Sequence, residues 1–426
     1  MSRLREFKPK RSKASVDKPW QDEILIERLA DDGRGVGKRQ GKVVFVDRAL
    51  PGETVVAKRY RSAKRFDEAE CLSVSVPAVE RIEPECRHYA QCGGCQLQHL
   101  GYASQVRFKQ DLFDALLARL DGPVAEAPLL AERFGYRHRL RLAFQAGVLG
   151  LRAARSHEVV ALECCEISQP ALNKAVKALA GQQELLRAMY RGEVDLALGE
   201  GGYCHCRIRL EKSPSASLLD RMVSKIPITI SEIKHKDNVL YSADVSLQYP
   251  SSDTVFRPGD FTQVNPAINA QLLQKVMDWL APTPDAFILD AFSGLGNFSR
   301  ELLASGARVL GLEGDAQMVA RAREHVVSER ITFRCQDLFS DSLELPRDLD
   351  AVVLDPPRAG AESLCRALVR QPVERVVYVS CDPSTLERDA KLLQAGGYTL
   401  EAACWADMFP QTRHMEAVML FTRSQG

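Results

Sequence analysis

The sequence predicts an α/β protein in three parts: a small N-terminal β-barrel, an α+β centre and a C-terminal doubly wound parallel sheet. Three observations carry this. Short β-rich runs separated by Gly-rich and Pro-Gly turns fill residues 24–76, the pattern of a small barrel. From Phe261 onward, apolar strand runs alternate with helical segments, as in a sheet built from βαβ units. Residues 136–250 mix short strands with a helix near 170–190 and follow neither pattern. A chain of 426 residues has room for this division at roughly 100–200 residues per domain.

Residues 1–15 form a basic tail, expected to be disordered because it holds too little apolar surface to offset the entropy of ordering. Residues 16–76 form the barrel, with strands at Glu23–Glu27, Lys42–Val46, Thr54–Arg59 and Asp67–Val74; the Gly-rich stretch from Asp31 to Gly37 and Pro51-Gly52 read as its turns. Residues 77–255 make the centre, with a helix over 103–120 whose apolar residues recur at three- and four-residue spacing. Residues 256–426 make the parallel-sheet domain, with strands Phe287–Ala291, Arg308–Leu312, Ile331–Arg334, Ala351–Leu354, Val376–Ser380 and Tyr398–Cys404. The last run, His414–Thr422, follows its predecessor too closely for a crossover helix and is expected to pair antiparallel.

A net charge of +1 points to no partner, but its distribution does. Basic residues gather in the first 20 positions, at Lys58, Arg59, Arg61, Lys64 and Arg65, and at Arg133, Arg137, Arg139, Arg141, Arg152 and Arg155. Such clusters on a near-neutral chain mark either a phosphate-binding face or solvated strand faces. No apolar run approaches the roughly 18 residues of a membrane helix, and the basic N-terminus lacks the apolar segment of a secretion signal. A cytoplasmic protein without a membrane partner is expected. In that reducing compartment, twelve cysteines argue for metal ligands or reactive thiols rather than disulfides.

The strand Phe287–Ala291 runs into Phe292-Ser293-Gly294-Leu295-Gly296-Asn297, a loop whose glycines admit a ligand at the carboxyl edge of the sheet. A dinucleotide fingerprint needs a third glycine, and position 299 is serine. Acidic residues follow successive strands at Glu313, Asp337 and Asp355. They suit a ribose and a cationic amino-acid tail without a pyrophosphate, which S-adenosylmethionine offers; each could instead cap the helix that follows.

Asp355-Pro356-Pro357-Arg358 is similar to the Asp-Pro-Pro-Tyr loop of amino-group methyltransferases, with arginine in place of the aromatic. A second chemistry fits the neighbouring residues. Uracil C5 becomes nucleophilic when a thiolate adds to C6, so methylating it needs a cysteine, a methyl donor and a base. Cys381, in Val379-Ser380-Cys381-Asp382-Pro383, is expected at a strand end beside Asp355, where the helix starting at Pro383 would favour a thiolate. Glu416 leads into an apolar strand, an odd place for a carboxylate without a task. His414 and Asp407 have no assigned role. Cys86, Cys92 and Cys95, with Gly93-Gly94 between the last two, carry close ligand spacing, and Cys164-Cys165 offers a fourth thiol. Four thiolates suit [4Fe–4S]; zinc, joined by His88 or His99, is the alternative. Cys204-His205-Cys206 reads as strand packing.

Together these motifs closely resemble the bacterial RNA 5-methyluridine methyltransferase family, over residues from about 20 to 426. Phe261-Thr262-Gln263-Val264-Asn265-Pro266 resembles the family's Gln-Val-Asn segment, Val379–Pro383 its nucleophile motif and His414-Met415-Glu416 its base motif. The resemblance implies that Cys381 is the nucleophile and Glu416 the general base, and that Gln263, Phe292, Asn297, Glu313, Asp337 and Asp355 bind S-adenosylmethionine. It implies a [4Fe–4S] cluster on Cys86, Cys92, Cys95 and Cys165, with Cys165 chosen over Cys164 because Cys165-Glu166-Ile167 aligns with the family's Cys-Pro-Ile. It implies a TRAM domain, an OB-like RNA-binding barrel, over residues 16–76, and a Rossmann-like methyltransferase domain at the C-terminus. Barrel and cluster together resemble the form acting on 23S rRNA, and a monomer is expected. The alternatives are an amino-group RNA methyltransferase and a non-catalytic iron–sulfur RNA-binding or redox-sensing protein. The chain departs from the family pattern at Ser293, Pro357 and Asp382, where cysteine, alanine and asparagine are common. The carboxylate of Asp382, beside Cys381, is expected to oppose the thiolate.

Overall fold

The computed structural model describes residues 20–250 and 252–423; the basic tail expected at 1–15 lies outside them. The chain divides into two compact units. One takes the described residues up to Pro84 with Gln96–Gln105, the other Glu85–Cys95 and the described residues from Val106 onward.

The first unit is built on five strands, β1 (Gln21–Leu29), β2 (Gly35–Arg39), β3 (Lys42–Asp47), β4 (Thr54–Ser62) and β5 (Phe66–Val76), closed in the order β1-β2-β3-β5-β4. Alternate residues turn inward, Ile24 and Ile26 meeting Val44, Val46, Val55 and Ala57. Closure leaves no edge strand unpaired. β2 falls where the sequence reads as a turn. Its glycines serve close packing: a Cβ on Gly37 would lie 2.4 Å from the Leu25 carbonyl oxygen, so only glycine lets these backbones approach.

The second unit holds two sheets. The first contains β6 (Arg139–Gln145), β7 (Val148–Arg152), β8 (Val159–Ala161), β9 (Arg191–Leu198), β10 (Cys204–Leu210), β11 (Thr229–His235) and β12 (Asn238–Ser242), in the order β12-β11-β10-β9-β6-β7-β8. Before it runs α1 (Tyr102–Ala118). The helix expected near 170–190 is two, α2 (Pro170–Ala180) and α3 (Gln183–Met189), because the chain leaves helical geometry at Gln182. Their apolar faces cover one side of the sheet, against Leu142, Val194, Leu196 and Ile208. Cys206 is part of that core and Cys204 packs against it, as strand packing requires. A further helix, α4 (Ala216–Lys225), and a two-stranded ribbon, β13 (Leu247–Gln248) and β14 (Val255–Phe256), lead onward.

The second sheet alternates β15 (Phe287–Ala291), β16 (Arg308–Glu313), β17 (Ile331–Cys335), β18 (Ala351–Leu354), β19 (Arg375–Ser380), β20 (Thr399–Ala406) and β21 (Glu416–Thr422) with α5 (Pro266–Leu280), α6 (Asn297–Ala304), α7 (Ala316–His325), α8 (Glu362–Arg370) and α9 (Pro383–Ala395). Its order is β17-β16-β15-β18-β19-β21-β20. Both faces are covered: Leu289, Leu310, Val352 and Val376 meet one helical layer, Ile288, Val309, Val353 and Val377 the other. Hence the continuous apolar runs. The order reverses between β15 and β18, which opens a crevice beyond the carboxyl ends of the strands. β21 inserts antiparallel between β19 and β20, as its short connection demands. No helix among the described residues is long and apolar enough to cross a membrane.

Candidate active site

The crevice has Gln263, Phe292, Asn297 and Asp355 among its walls. The loop after β15 bends through Phe292 at φ 62° and Gly296 at φ 85°; the latter starts α6 in a left-handed conformation suited to glycine. Glu313 ends β16 with one carboxylate oxygen accepting from Gly294 N–H (3.1 Å) and the other from Asp315 N–H (2.9 Å). Asn297 exchanges amide hydrogen bonds with Asn269, both 3.0 Å. Gln263 Nε2 donates to Asp355 Oδ2 at 3.1 Å. Asp337 is exposed and does not line the crevice; it accepts from Phe339 N–H at 2.9 Å. The Phe339 ring lies 5.7 Å from that of Phe292.

Two residues behind Gln263 have no sequence signal that marks them. Tyr249 donates its hydroxyl proton to the Gln263 carbonyl at 3.0 Å. His138 Nδ1 donates to the Val264 carbonyl at 3.0 Å, and burial holds its pKa down at about 4, so the ring is neutral and this bond fixes its tautomer. The two rings pack edge to face at 5.1 Å. They prop the segment that presents Gln263.

Cys381 and Glu416 come together through strand register. β19 and β21 pair antiparallel, with Ser380 opposite Ala417 as the last pair; the same register brings Cys381, just past it, within electrostatic reach of Glu416. Opposed residues in such a ladder lie about 4.5–5.5 Å apart at Cα. The neighbouring parallel pair sets Leu354 beside Tyr378, which brings Asp355 to the same edge. Burial, then Glu416 and Asp355, push the Cys381 thiol up to about 11, against the pull of Arg358. Burial and Asp355 hold the Glu416 carboxyl well above the usual range. Burial and Asp290 raise Asp355 to about 7, against its bond from Gln263.

Two expectations are corrected here. The start of α9 does not leave Cys381 as a resting thiolate, because burial and two carboxylates outweigh it. Nor is Asp382 the opposing charge: its side chain caps α9, accepting from Ser384 N–H (3.0 Å) and Thr385 N–H (3.3 Å). The loop carrying Arg358 is pinned to α9. Thr385 Oγ1 donates to the Arg358 carbonyl at 3.2 Å. The buried Asp389 accepts from Ala361 N–H (2.6 Å) and the Tyr378 hydroxyl (2.7 Å).

A carboxyl with a higher pKa folded than unfolded binds its proton more tightly when folded. Its stabilisation is therefore present at low pH and lost as pH rises through the folded value. For Asp355 the window runs from its ordinary 3.8 up to about 7. Asp355→Asn should thus be more stable than the wild type at pH 8, on the order of a few kcal/mol, and equal to it near pH 4. Urea unfolding across that range measures the gap; a gap independent of pH would contradict the assigned burial cost.

Among the described residues, no group of three or more His, Cys, Asp or Glu side chains is drawn together as a metal site. The predicted cysteines do share a neighbourhood. Burial raises the thiol pKa of both Cys86 and Cys92, with smaller contributions from Cys165 to both and from Cys86 to Cys92. Cys95 and Cys165 both bear on Tyr136. Cys164 lies in the same neighbourhood, its thiol donating to Glu166 at 3.3 Å and feeling the charge of Cys86.

A family model described as tRNA (Uracil-5-)-methyltransferase matches residues 233–424, and a TRAM domain model matches residues 22–70. The 23S rRNA (uracil(1939)-C(5))-methyltransferase RlmD of Chromohalobacter salexigens is 36% identical, over 96% of this chain and 90% of its own length. The protein of the same name from Dichelobacter nodosus is 38% identical, over 94% of this chain and 98% of its own. The crystal structure of Pyrococcus abyssi tRNA (uracil-54, C5)-methyltransferase in complex with S-adenosyl-L-homocysteine superposes with a TM-score of 0.73 at 24% identity, covering 94% of this chain and 99% of that one. That likeness shows a common fold. Relatives more than a third identical along nearly the whole chain show more: the chain belongs to the RNA 5-methyluridine methyltransferase family.

Proposed function

We propose that this chain uses S-adenosylmethionine to form 5-methyluridine in 23S rRNA, at the uracil, 1939, for which its relatives are named. The observation that carries this is Cys381 at the end of β19, within electrostatic reach of both Glu416 on the paired strand and Asp355, which meets Gln263 in the crevice. The Cys381 thiol gives its proton up to solvent as the sulfur adds to uracil C6 and drives electrons toward C5 and O4. The cofactor supplies an electrophilic methyl group to C5. Glu416 then takes the C5 proton, the C5=C6 bond re-forms and Cys381 leaves as thiolate. Gln263, Phe292, Asn297, Glu313, Asp337 and Asp355 would hold the cofactor. The protein works as a monomer in the cytoplasm.

The target base must leave its stack to enter this crevice. Phosphate contacts come from exposed Lys58, Lys64 and Arg65 on the barrel and from the outer face of the central sheet. There the cross-strand row Arg141–Asp195–Arg207 and the adjoining Arg152, Arg209 and Glu193 set four guanidiniums against two carboxylates. The test is incubation with unmodified 23S rRNA followed by mapping of new 5-methyluridine. Methylation of an exocyclic amino group instead, or RNA binding with no methylation, would overturn the reading.

Cys86, Cys92, Cys95 and Cys165 are proposed to hold a [4Fe–4S] cluster. The donor set is all thiol. Four thiolates are the donor set of such a cluster, and Cys86, Cys92 and Cys165 lie close enough to influence one another electrostatically. Cys165→Ser should lose the cluster's visible absorbance and its iron and labile sulfide, while Cys164→Ser keeps them. The reverse result would exchange the fourth ligand.

A further inference from the structure

The connector between β20 and β21, residues 407–415, leads straight into Glu416. Its start faces its end, since Ala406 pairs with Glu416. Two residues far away in sequence hold it, and neither takes part in the chemistry described above. Lys109, on α1, is fully buried. Its Nζ donates to Asp407 Oδ1 at 2.6 Å and to the Phe409 carbonyl at 3.2 Å. Tyr136, also buried, donates its hydroxyl proton to the Pro410 carbonyl at 3.1 Å. Asp407 N–H is further bonded to the Leu129 carbonyl at 2.9 Å. Tyr136 is itself fixed from both sides: Gly135 N–H and Arg137 N–H donate to the carbonyls of Glu166 and Ile167, just after Cys165.

A buried ion pair is a poor way to stabilise a fold. Desolvation cancels much of the attraction, and replacing both charges by apolar groups is often neutral or stabilising. The side chains of Lys109 and Asp407 are each only 1% exposed. What this pair provides is geometry: it fixes Asp407, hence Ala406, hence Glu416 opposite. We propose that Lys109 and Tyr136 are positioning residues for proton abstraction, clamping the connector so that the Glu416 carboxylate stays within reach of Cys381.

The proposal rests on Glu416 being the base, and it predicts which step suffers. Sulfur addition to C6 and methyl transfer to C5 do not need Glu416 as a base. The last step does: the C5 proton passes to the Glu416 carboxylate, the C–H pair becomes the C5=C6 bond, and the C6–S pair returns to Cys381. Proton transfer requires hydrogen-bond reach, and small misplacements slow it strongly. A loosened connector therefore accumulates the covalent protein–RNA adduct.

The test uses full-length Tyr136→Phe, which removes one oxygen, and the paired variant Lys109→Met with Asp407→Leu, which leaves no buried charge. Each is followed in single turnover, with adduct counted on denaturing gels, and is compared with the wild type and Glu416→Gln. Elimination is expected to slow about 5- to 10-fold, with adduct rising in proportion, addition and methyl transfer within about twofold of wild type, and a near-wild-type melting midpoint for Tyr136→Phe. Adduct with Glu416→Gln but wild-type partition in both clamp variants would overturn the clamp, as would an equal loss at every step. If Glu416→Gln forms no adduct, the base assignment fails instead.

Discussion

Cys381→Ala should lose turnover by about ten-thousand-fold or more and still bind S-adenosylmethionine. Without sulfur at C6, uracil C5 has no enolate-like electron density to offer the methyl group, and nothing else in the crevice can supply it. Asp355 and Glu416 both act on Cys381, and both are carboxyls held above their usual pKa, Asp355 by burial and Asp290, Glu416 by burial and Asp355. The proposed cofactor contacts lie on other elements: Gln263 before α5, Asn297 at the start of α6 and Glu313 at the end of β16. Truncating Cys381 removes none of them. Calorimetric cofactor binding within about threefold of wild type, with no tritiated methyl transferred to RNA, is the expected outcome. A thiol pushed up to about 11 is almost wholly protonated at neutral pH, so it reacts poorly until the substrate arrives. Arg358 is the cation that opposes this rise, held near by the bonds from Thr385 and Asp389 to its loop. Methyl transfer that survived Cys381→Ala would remove the nucleophile and return the Asp355-Pro356-Pro357 loop to consideration as an amino-group site.

The parts of this site legible in the sequence are those where local chemistry and strand position coincide. Runs such as Phe287–Ala291 and Ala351–Leu354 are buried on both faces, so their lengths show as unbroken apolar stretches. A residue just past such a run, like Asp355 or Cys381, must lie at the carboxyl edge. β2 was hidden because Gly35 and Gly37, needed for close backbone approach, look like turn residues. His138 and Tyr249 were hidden for another reason. Each acts through a hydrogen bond to a backbone carbonyl, and a lone ring in a loop carries no spacing that could announce it. Asp382 was visible but open to misreading. An aspartate before Pro383 at a helix start is the pattern of a cap, and a capping carboxylate spends its oxygens on backbone amides. The charges that matter to Cys381 lie on β21 and after β18. Only the inserted antiparallel strand brings the first of them close, and no motif encodes that register.

Glu416→Gln should form the covalent RNA adduct and fail to release it, with turnover falling by about a hundred- to ten-thousand-fold. Glutamine keeps the size and hydrogen-bonding capacity of the side chain but cannot accept the C5 proton as a base. The pH behaviour of the wild type follows from the coupling. Glu416 and Asp355 each sit in a buried site, and Asp355 raises the pKa of Glu416, so the pair titrates together rather than as two independent acids. Holding one proton between them keeps the total negative charge beside Cys381 low while sulfur attacks. Losing it from Glu416 leaves a carboxylate that is a stronger base than an exposed one, because its environment favours the protonated form. Asp355→Asn removes the charge that raises Glu416, so it should weaken the base and raise the adduct fraction, in the same direction as Glu416→Gln but by less. Adduct resistant to heating in denaturant, carrying methyl label and ordered Glu416→Gln above Asp355→Asn above wild type, is the pattern that this coupling requires. Label released at the wild-type rate from Glu416→Gln would place the base elsewhere.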